Sequence, residues 1–250
     1  GGGGGASRPM TALRGGGGAQ AGLARQMGAL NRRRQWSQAL ALFASLPLSN
    51  ISNAACYVEA IRAHGALGTP AAALDAFASL EASGLPLSLV SYTATIRACA
   101  TASHWPIALS LLQDARDRGM RPDTIACNAA LAACERAAQW EEALLLLREM
   151  AGSVDAPPDR VSYNTAISAL SRAGQWQGAL ELFEELPQAV APPGNLPDAH
   201  SFGAVISACE RGGQVCCPNS RPSRPSSDPC PARSRPRTRS SPFRPHHFLP

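Results

Sequence analysis

The sequence contains no lysine; all 23 of its basic residues are arginine. No apolar run approaches the roughly 18–20 residues that a membrane-spanning helix needs, which argues against a helical membrane partner. There is no Cys-x-x-Cys pair, and Cys216, Cys217 and Cys230 have no histidine at metal-ligating spacing, so a metal site is not expected. The glycine runs at the N-terminus lack the lysine and following helix of a phosphate-binding loop. His64, His104 and His200 are scattered, and His246 and His247 fall in a Pro/Arg-rich tail, so no histidine stands in a catalytic constellation. Catalysis, a cofactor and a small-molecule substrate all lack a candidate site.

Acid is also missing where it would be informative. No acidic residue occurs from Gly1 to Tyr57, and residues 1–53 carry six arginines for a charge of +6. Residues 218–250 carry seven arginines and one aspartate, again +6. The middle, 54–217, holds ten arginines against seventeen acids, a charge of −7 hidden inside the overall +5. A basic pI therefore says nothing about nucleic-acid affinity here. An array of this sign needs a local arginine stripe to meet phosphates.

That middle is repetitive. Trp105, Trp140 and Trp176 are 35 and 36 residues apart, and Trp36 lies two periods before Trp105, with Pro70 in the intervening place. The pairs Pro122-Asp123, Pro158-Asp159 and Pro197-Asp198 keep similar spacing. Four residues after each unit-closing residue stand Tyr57, Tyr92, Cys127, Tyr163 and Phe202. Eight after come Ile61, Ile96, Leu131, Ile167 and Ile206; eleven after come His64, Cys99, Cys134, Leu170 and Cys209. Positions four, eight and eleven share one helical face and predict a packing stripe. Cysteines on that stripe act as small buried apolar residues of a reducing compartment, not as disulfide partners.

Each unit predicts two helices, the second opened by the tryptophan and, after Trp140, by acids suited to a helix N-terminus. The expected units are 20–53, 54–88, 89–123, 124–159 and 160–198, with a half unit from 199 to 217. Two short helices per period cannot bury their apolar faces alone. They predict an all-α, right-handed α-solenoid. Gly84 and Gly119 follow second helices where a left-handed cap is cheapest, and Pro86 and Pro122 then block continuation.

The tetratricopeptide repeat has the same period but places its tryptophan early in the first helix. Here the first helices read LVSYTATIRAC, TIACNAALAAC and VSYNTAISAL, the second AGQWQGALELFEEL, and Pro-Asp closes the units. The array over 20–217 resembles the pentatricopeptide repeat family, most clearly over 89–210. The deaminase-like pairing of His-x-Glu with a later Cys-x-x-Cys, found in some relatives, is absent.

Members of that family read single-stranded RNA one base per repeat. The resemblance implies that the fifth residue of a unit contacts the base edge, supported by the residue closing the unit. Asn128 with Asp159 and Asn164 with Asp198 would prefer U, and Thr93 with Asp123 would prefer G. Val58 with Ser88 and Ala24 with Asn53 fall outside the informative combinations. Val90, Ile125 and Val161, at the second position, would sandwich bases. Arg136, Arg172 and Arg211, thirteen past the closing residue, would meet phosphates.

Each has a plainer reading: a solvated polar face for the fifth position, helix N-caps for the aspartates, helix-start packing for the aliphatics, helix C-terminal charge for the arginines. The functional expectation is sequence-selective RNA binding in organellar RNA processing or stability, with proteins of an RNA-processing complex as further partners. The alternative is a tetratricopeptide-like protein scaffold, which the acidic array favours.

The ends differ from the array. Residues 1–19 and 218–250 are low-complexity and expected to be disordered. The arginine-rich, acid-free start fits a chloroplast or mitochondrial transit peptide as well as a plain flexible tail. The opening glycine, and the break of the last unit at Gln214-Val215, are expected of a fragment, with translated intron as one hypothesis for the tail. A mature transcript that encodes the tail would refute it.

Overall fold

In the computed structural model the described residues are 16–46, 53–189 and 197–213, with side chains from 20 to 46, 53 to 186 and 197 to 213. They form helices and no strand. Six first helices are α1 (Gly16–Arg32), α3 (Ala54–Leu67), α5 (Leu89–Thr101), α7 (Thr124–Arg136), α9 (Arg160–Ala173) and α11 (Ala199–Arg211). Five second helices are α2 (Trp36–Ala44), α4 (Pro70–Ala82), α6 (Trp105–Asp117), α8 (Trp140–Ala151) and α10 (Trp176–Ala189).

Each first helix packs on the first helix before and after it, α1 on α3 through to α9 on α11. A second helix packs on its own first helix and on the next one. This is a right-handed α-solenoid with a continuous inner layer of first helices and an outer layer of second helices. Small residues permit the inner packing. Ala126, Ala130, Ala133 and Ala169 are fully buried, and a Cβ placed on Gly65 would lie 3.0 Å from Ala98 Cβ and 3.1 Å from Ala98 Cα. The acids of the second helices, Glu141, Glu149, Glu181, Glu184 and Glu185, are exposed on the outside.

The packing stripe is as the period predicts over most of its length. Tyr57, Tyr92, Cys127 and Tyr163 are buried, as are Ile61, Ile96, Leu131 and Ile167. The Tyr92 hydroxyl donates to Asp114 in α6, tying first helix to second. Burial pushes the Cys99 and Cys134 thiols up to about 11, so they stay protonated and unreactive.

Three stripe positions differ. His64 is only half-buried, its Nδ1 3.1 Å from Thr69 Oγ1, because a ring nitrogen needs a polar partner that the core lacks. Phe202 and Ile206 are 53% and 50% exposed: among the described residues no helix follows α11 to cover that face.

The turns between first and second helices share one device. A residue fifteen past the closing position is left-handed in every unit: Gly68, Gly174 and Gly213, but also Arg34, Ser103 and Ala138 at φ 60°, 59° and 55°. Non-glycine residues there carry strain of ~1–2 kcal/mol. Gly84 and Gly119, at φ 68° and 77°, follow α4 and α6 as expected. Helix α1 starts at Gly16, inside the segment 1–19 expected to lack structure. The tail 218–250, the break at Gln214 and the rest of the leader lie outside the described residues.

Candidate nucleic-acid interface

The closing aspartates are helix caps. Asp123, Asp159 and Asp198 accept from the backbone N–H groups of Ala126, Ser162 and Ser201 at 2.8, 2.8 and 2.9 Å. A carboxylate there satisfies an orphan donor and faces the positive helix end. The Ser201 N–H, then its hydroxyl, with Arg160 and Asn164 adding to them, hold the Asp198 carboxyl below its ordinary value. Arg160 Nε lies 3.5 Å from Asp198 Oδ2.

Two of these caps do a second thing. Asn128 Nδ2 donates to Asp159 Oδ1 at 3.1 Å, and Asn164 Nδ2 donates to Asp198 Oδ1 at 3.2 Å. So the fifth residue of one unit is bonded to the aspartate that closes it, across the junction to the next first helix. The amide oxygens are held as well: Ser162 Oγ donates to Asn128 Oδ1 at 2.6 Å and Ser201 Oγ to Asn164 Oδ1 at 2.5 Å. Asn128 is half-buried and Asn164 is 8% exposed, so each amide is seated in the junction with limited access from outside. Thr93, the third of the set, behaves otherwise. Its hydroxyl donates to Leu89 O of its own helix at 2.8 Å, and Asp123 acts as a cap.

The second-position aliphatics are the reverse of core residues. Val90, Ile125 and Val161 are 51%, 61% and 55% exposed, which helix-start packing does not explain. Ile125 and Asn128 share an inter-repeat groove of about 380 Å³ with Arg97, Thr101, Ala132 and Arg136. Here one candidate of each class meets: a base-edge amide, an aliphatic face and a guanidinium.

The thirteenth-position arginines are engaged by the preceding repeat. Arg172 Nε pairs with Glu135 Oε1 at 2.8 Å. Arg136 and Arg211 reach the ends of the preceding first helices, at Thr101 O (3.4 Å) and Ser171 O (3.3 Å). The last two contacts are long and weak, so those arginines keep donors for another acceptor.

Two groups escaped the sequence reading. Arg97 is exposed, lines the grooves on both sides of α5, and among the described residues has no hydrogen-bond or ion-pair partner. Ser162 and Ser201 are the others. Their spacing, three after an aspartate that precedes a helix, signals a capping box, but nothing local shows that they also reach the preceding unit. Among the described residues no group of three His, Cys, Asp or Glu side chains converges to hold a metal, and no helix is long and apolar enough to cross a membrane.

A family model described as pentatricopeptide repeat-containing protein matches residues 54–186, more than half of the chain. Comparison with curated proteins gives no match. Among solved structures, the chain is similar to the pentatricopeptide repeat protein PPR10 in complex with an 18-nt psaJ RNA element. Identity is 25%, the TM-score 0.65, and the match covers 76% of this chain and 27% of that one. PPR10 from maize is 23% identical with a TM-score of 0.60, covering 80% and 34% of the two chains. The nuclear proteinaceous RNase P 2 from A. thaliana shares the fold at 12% identity and a TM-score of 0.61, over 76% of this chain and 42% of that one. The chain thus spans well under half the length of these structures. With the period, the paired helices and the family match in agreement, the chain belongs to the pentatricopeptide repeat family.

Proposed function

We propose that this chain binds single-stranded RNA through the inner layer of its first helices, selecting bases at consecutive repeats, without catalysis. The observation that carries the reading is the repetition of one arrangement at successive junctions: an asparagine amide on its closing aspartate, beside an exposed aliphatic. A solvated polar face would show no such cross-repeat bonding. The PPR10 complex with RNA supports it, as a relative at 25% identity. The RNase P relative is named for an enzyme, and our non-catalytic reading rests on the absence of any candidate constellation in this sequence.

In this reading Asn128 with Asp159 and Asn164 with Asp198 select U, and Thr93 with Asp123 selects G. Val90, Ile125 and Val161 flank the bases. Arg136, Arg211 and the unpaired Arg97 meet phosphates, while Arg172 first has to leave Glu135. The setting is organellar RNA processing or stability, in a chloroplast or mitochondrion, with other proteins of the processing complex as further partners.

The magnitudes keep affinity modest. Three readable repeats at ~1–3 kcal/mol each face an association cost of ~4–15 kcal/mol. Binding of the full chain to short RNAs carrying G-U-U, at several salt concentrations, tests the reading. Asn128→Ala with Asn164→Ala should weaken the U-containing RNA more than a control RNA. Equal loss on both, or binding no better than residues 218–250 give alone, favours the protein-scaffold alternative.

A further inference from the structure

The amides of Asn128 and Asn164 are held at both ends, and the two ends are held by different chemistry. An ionised carboxylate only accepts, so Asp159 and Asp198 take the nitrogen side of the amide. The oxygen side is taken by a serine whose single proton has little choice of direction. Ser162 Oγ already accepts from the Asp159 N–H at 3.0 Å, and Ser201 Oγ accepts from the Asp198 N–H at 3.2 Å. The proton is then shared between the asparagine oxygen, at 2.6 and 2.5 Å, and the aspartate oxygen, at 2.9 and 3.0 Å. The asparagine is the nearer acceptor in both junctions. Turning the amide over would put its oxygen against the carboxylate and its nitrogen against the serine proton. The first contact would become repulsive, and the second would survive only with the serine proton turned wholly to the more distant aspartate oxygen and the remaining Oγ lone pair taking the amide N–H.

A side-chain amide has two N–H donors and two oxygen lone pairs. The clasp uses one of each and leaves one of each, in an order that cannot be exchanged. Uracil and cytosine differ at one edge by that exchange: an acceptor at O4 in one, a donor at N4 in the other. An amide free to turn satisfies either base, and one held in place satisfies a single one. We propose that Ser162 and Ser201 are specificity-determining positioning residues, which fix the Asn128 and Asn164 amides in one orientation and so make these repeats discriminate uracil from cytosine. The proposal rests on the RNA-reading function above and adds to it a third side chain, contributed by the following repeat.

The molecule contains its own control. Ser91 holds the same place in α5 and forms the same capping box with Ser88, its Oγ accepting from the Ser88 N–H at 3.2 Å. But the fifth position of the preceding unit is Val58, which has no amide to fix. Ser91 Oγ donates to the backbone at Ser88 O instead, at 2.6 Å. A capping role is thus common to Ser91, Ser162 and Ser201, and a positioning role belongs to the last two alone.

The test uses the full chain and RNAs in which either U of G-U-U is replaced by C. Ser162→Ala should lower the U-over-C ratio at one nucleotide by about 3–10-fold, the worth of one hydrogen bond, and leave the other nucleotide unchanged. Ser201→Ala should do the same at the other nucleotide. Ser162→Thr, which keeps the hydroxyl, should keep the ratio. Ser91→Ala should lower thermal stability about as much as Ser162→Ala and leave both ratios alone. If Ser162→Ala fails to fold, Ser162→Cys replaces it, since a thiol is a weak donor of similar shape.

An unchanged ratio in the Ser162 and Ser201 variants overturns the proposal while the RNA-reading function stands on Asn128→Ala. Equal erosion by Ser91→Ala reduces all three serines to caps and also overturns it. Absence of any U-over-C ratio in the unaltered chain removes the reading beneath it, and the proposal with it.

Discussion

The junction after α7 and the junction after α5 begin from the same closing residue and end differently. Asp159 and Asp123 both cap a first helix. Yet Asp159 is bonded to Asn128 of the unit it closes and to Ser162 of the helix it caps, while Thr93 turns back onto its own backbone at Leu89 and Ala126 stands where a serine would be. Two features separate them: the reach of an asparagine against that of a threonine, and a hydroxyl at the third position of the next helix. A cap is a local property that each repeat can have alone. A clasp needs residues from two repeats, and only the junctions that supply both have one.

Grafting the missing parts should convert one junction into the other. Thr93→Asn with Ala126→Ser is expected to shift the base preferred by that repeat from G towards U by about 10-fold, the low end of what one good base contact contributes. Binding to RNAs differing at that nucleotide measures it. Thr93→Asn alone, without the serine, should give the smaller part of the shift and accept C nearly as well as U.

Removing a clasp at its carboxylate should cost both cap and clasp. Asp198→Ala is expected to lower the thermal midpoint through loss of the cap and to fray α11, read by hydrogen exchange of its first turn. The same carboxyl makes the junction pH-dependent. Its value in the folded chain is below the ordinary one, so its contribution is complete above the ordinary carboxylate range and is lost as pH falls through the lowered value. Acid unfolding followed in the unaltered chain and in Asp198→Asn should differ in that range and converge below it.

The smallest effect separates stacking from reading. Ser103→Gly and Ala138→Gly relieve left-handed residues at turns remote from the clasps. Each should raise stability by ~0.5–1 kcal/mol, seen in the denaturation midpoint, and leave base preference unchanged. Gly174→Ala, at φ 73°, should do the opposite to stability.

Much of this architecture was legible in the chain because it repeats. A tryptophan opening four of the five described second helices, apolar residues at positions four, eight and eleven, and aspartates before first helices are patterns within one unit, and helical periodicity is enough to place them. His64 broke the stripe because a histidine ring needs a polar neighbour, here Thr69, which lies beyond the helix end. The clasp serines and the partners of Arg136, Arg172 and Arg211 were not legible for a different reason. Those contacts join residues 34 to 40 apart, in consecutive repeats, and depend on how the first helices are offset in the stack. Periodicity says that a residue recurs on a face. It does not say which neighbour that face meets.

The most direct measurement exchanges one clasp for the arrangement at the other junction and asks which nucleotide responds. Asn128→Thr leaves Asp159 and Ser162 in place and gives that repeat the pair found at Thr93 and Asp123. With a panel of RNAs varied one nucleotide at a time within G-U-U, the preference at a single position should move from U to G, and the nucleotide assigned to Asn164 should keep its U. A preference unmoved at every position, or lost equally at both, would contradict the claim that each repeat of this chain reads its own base.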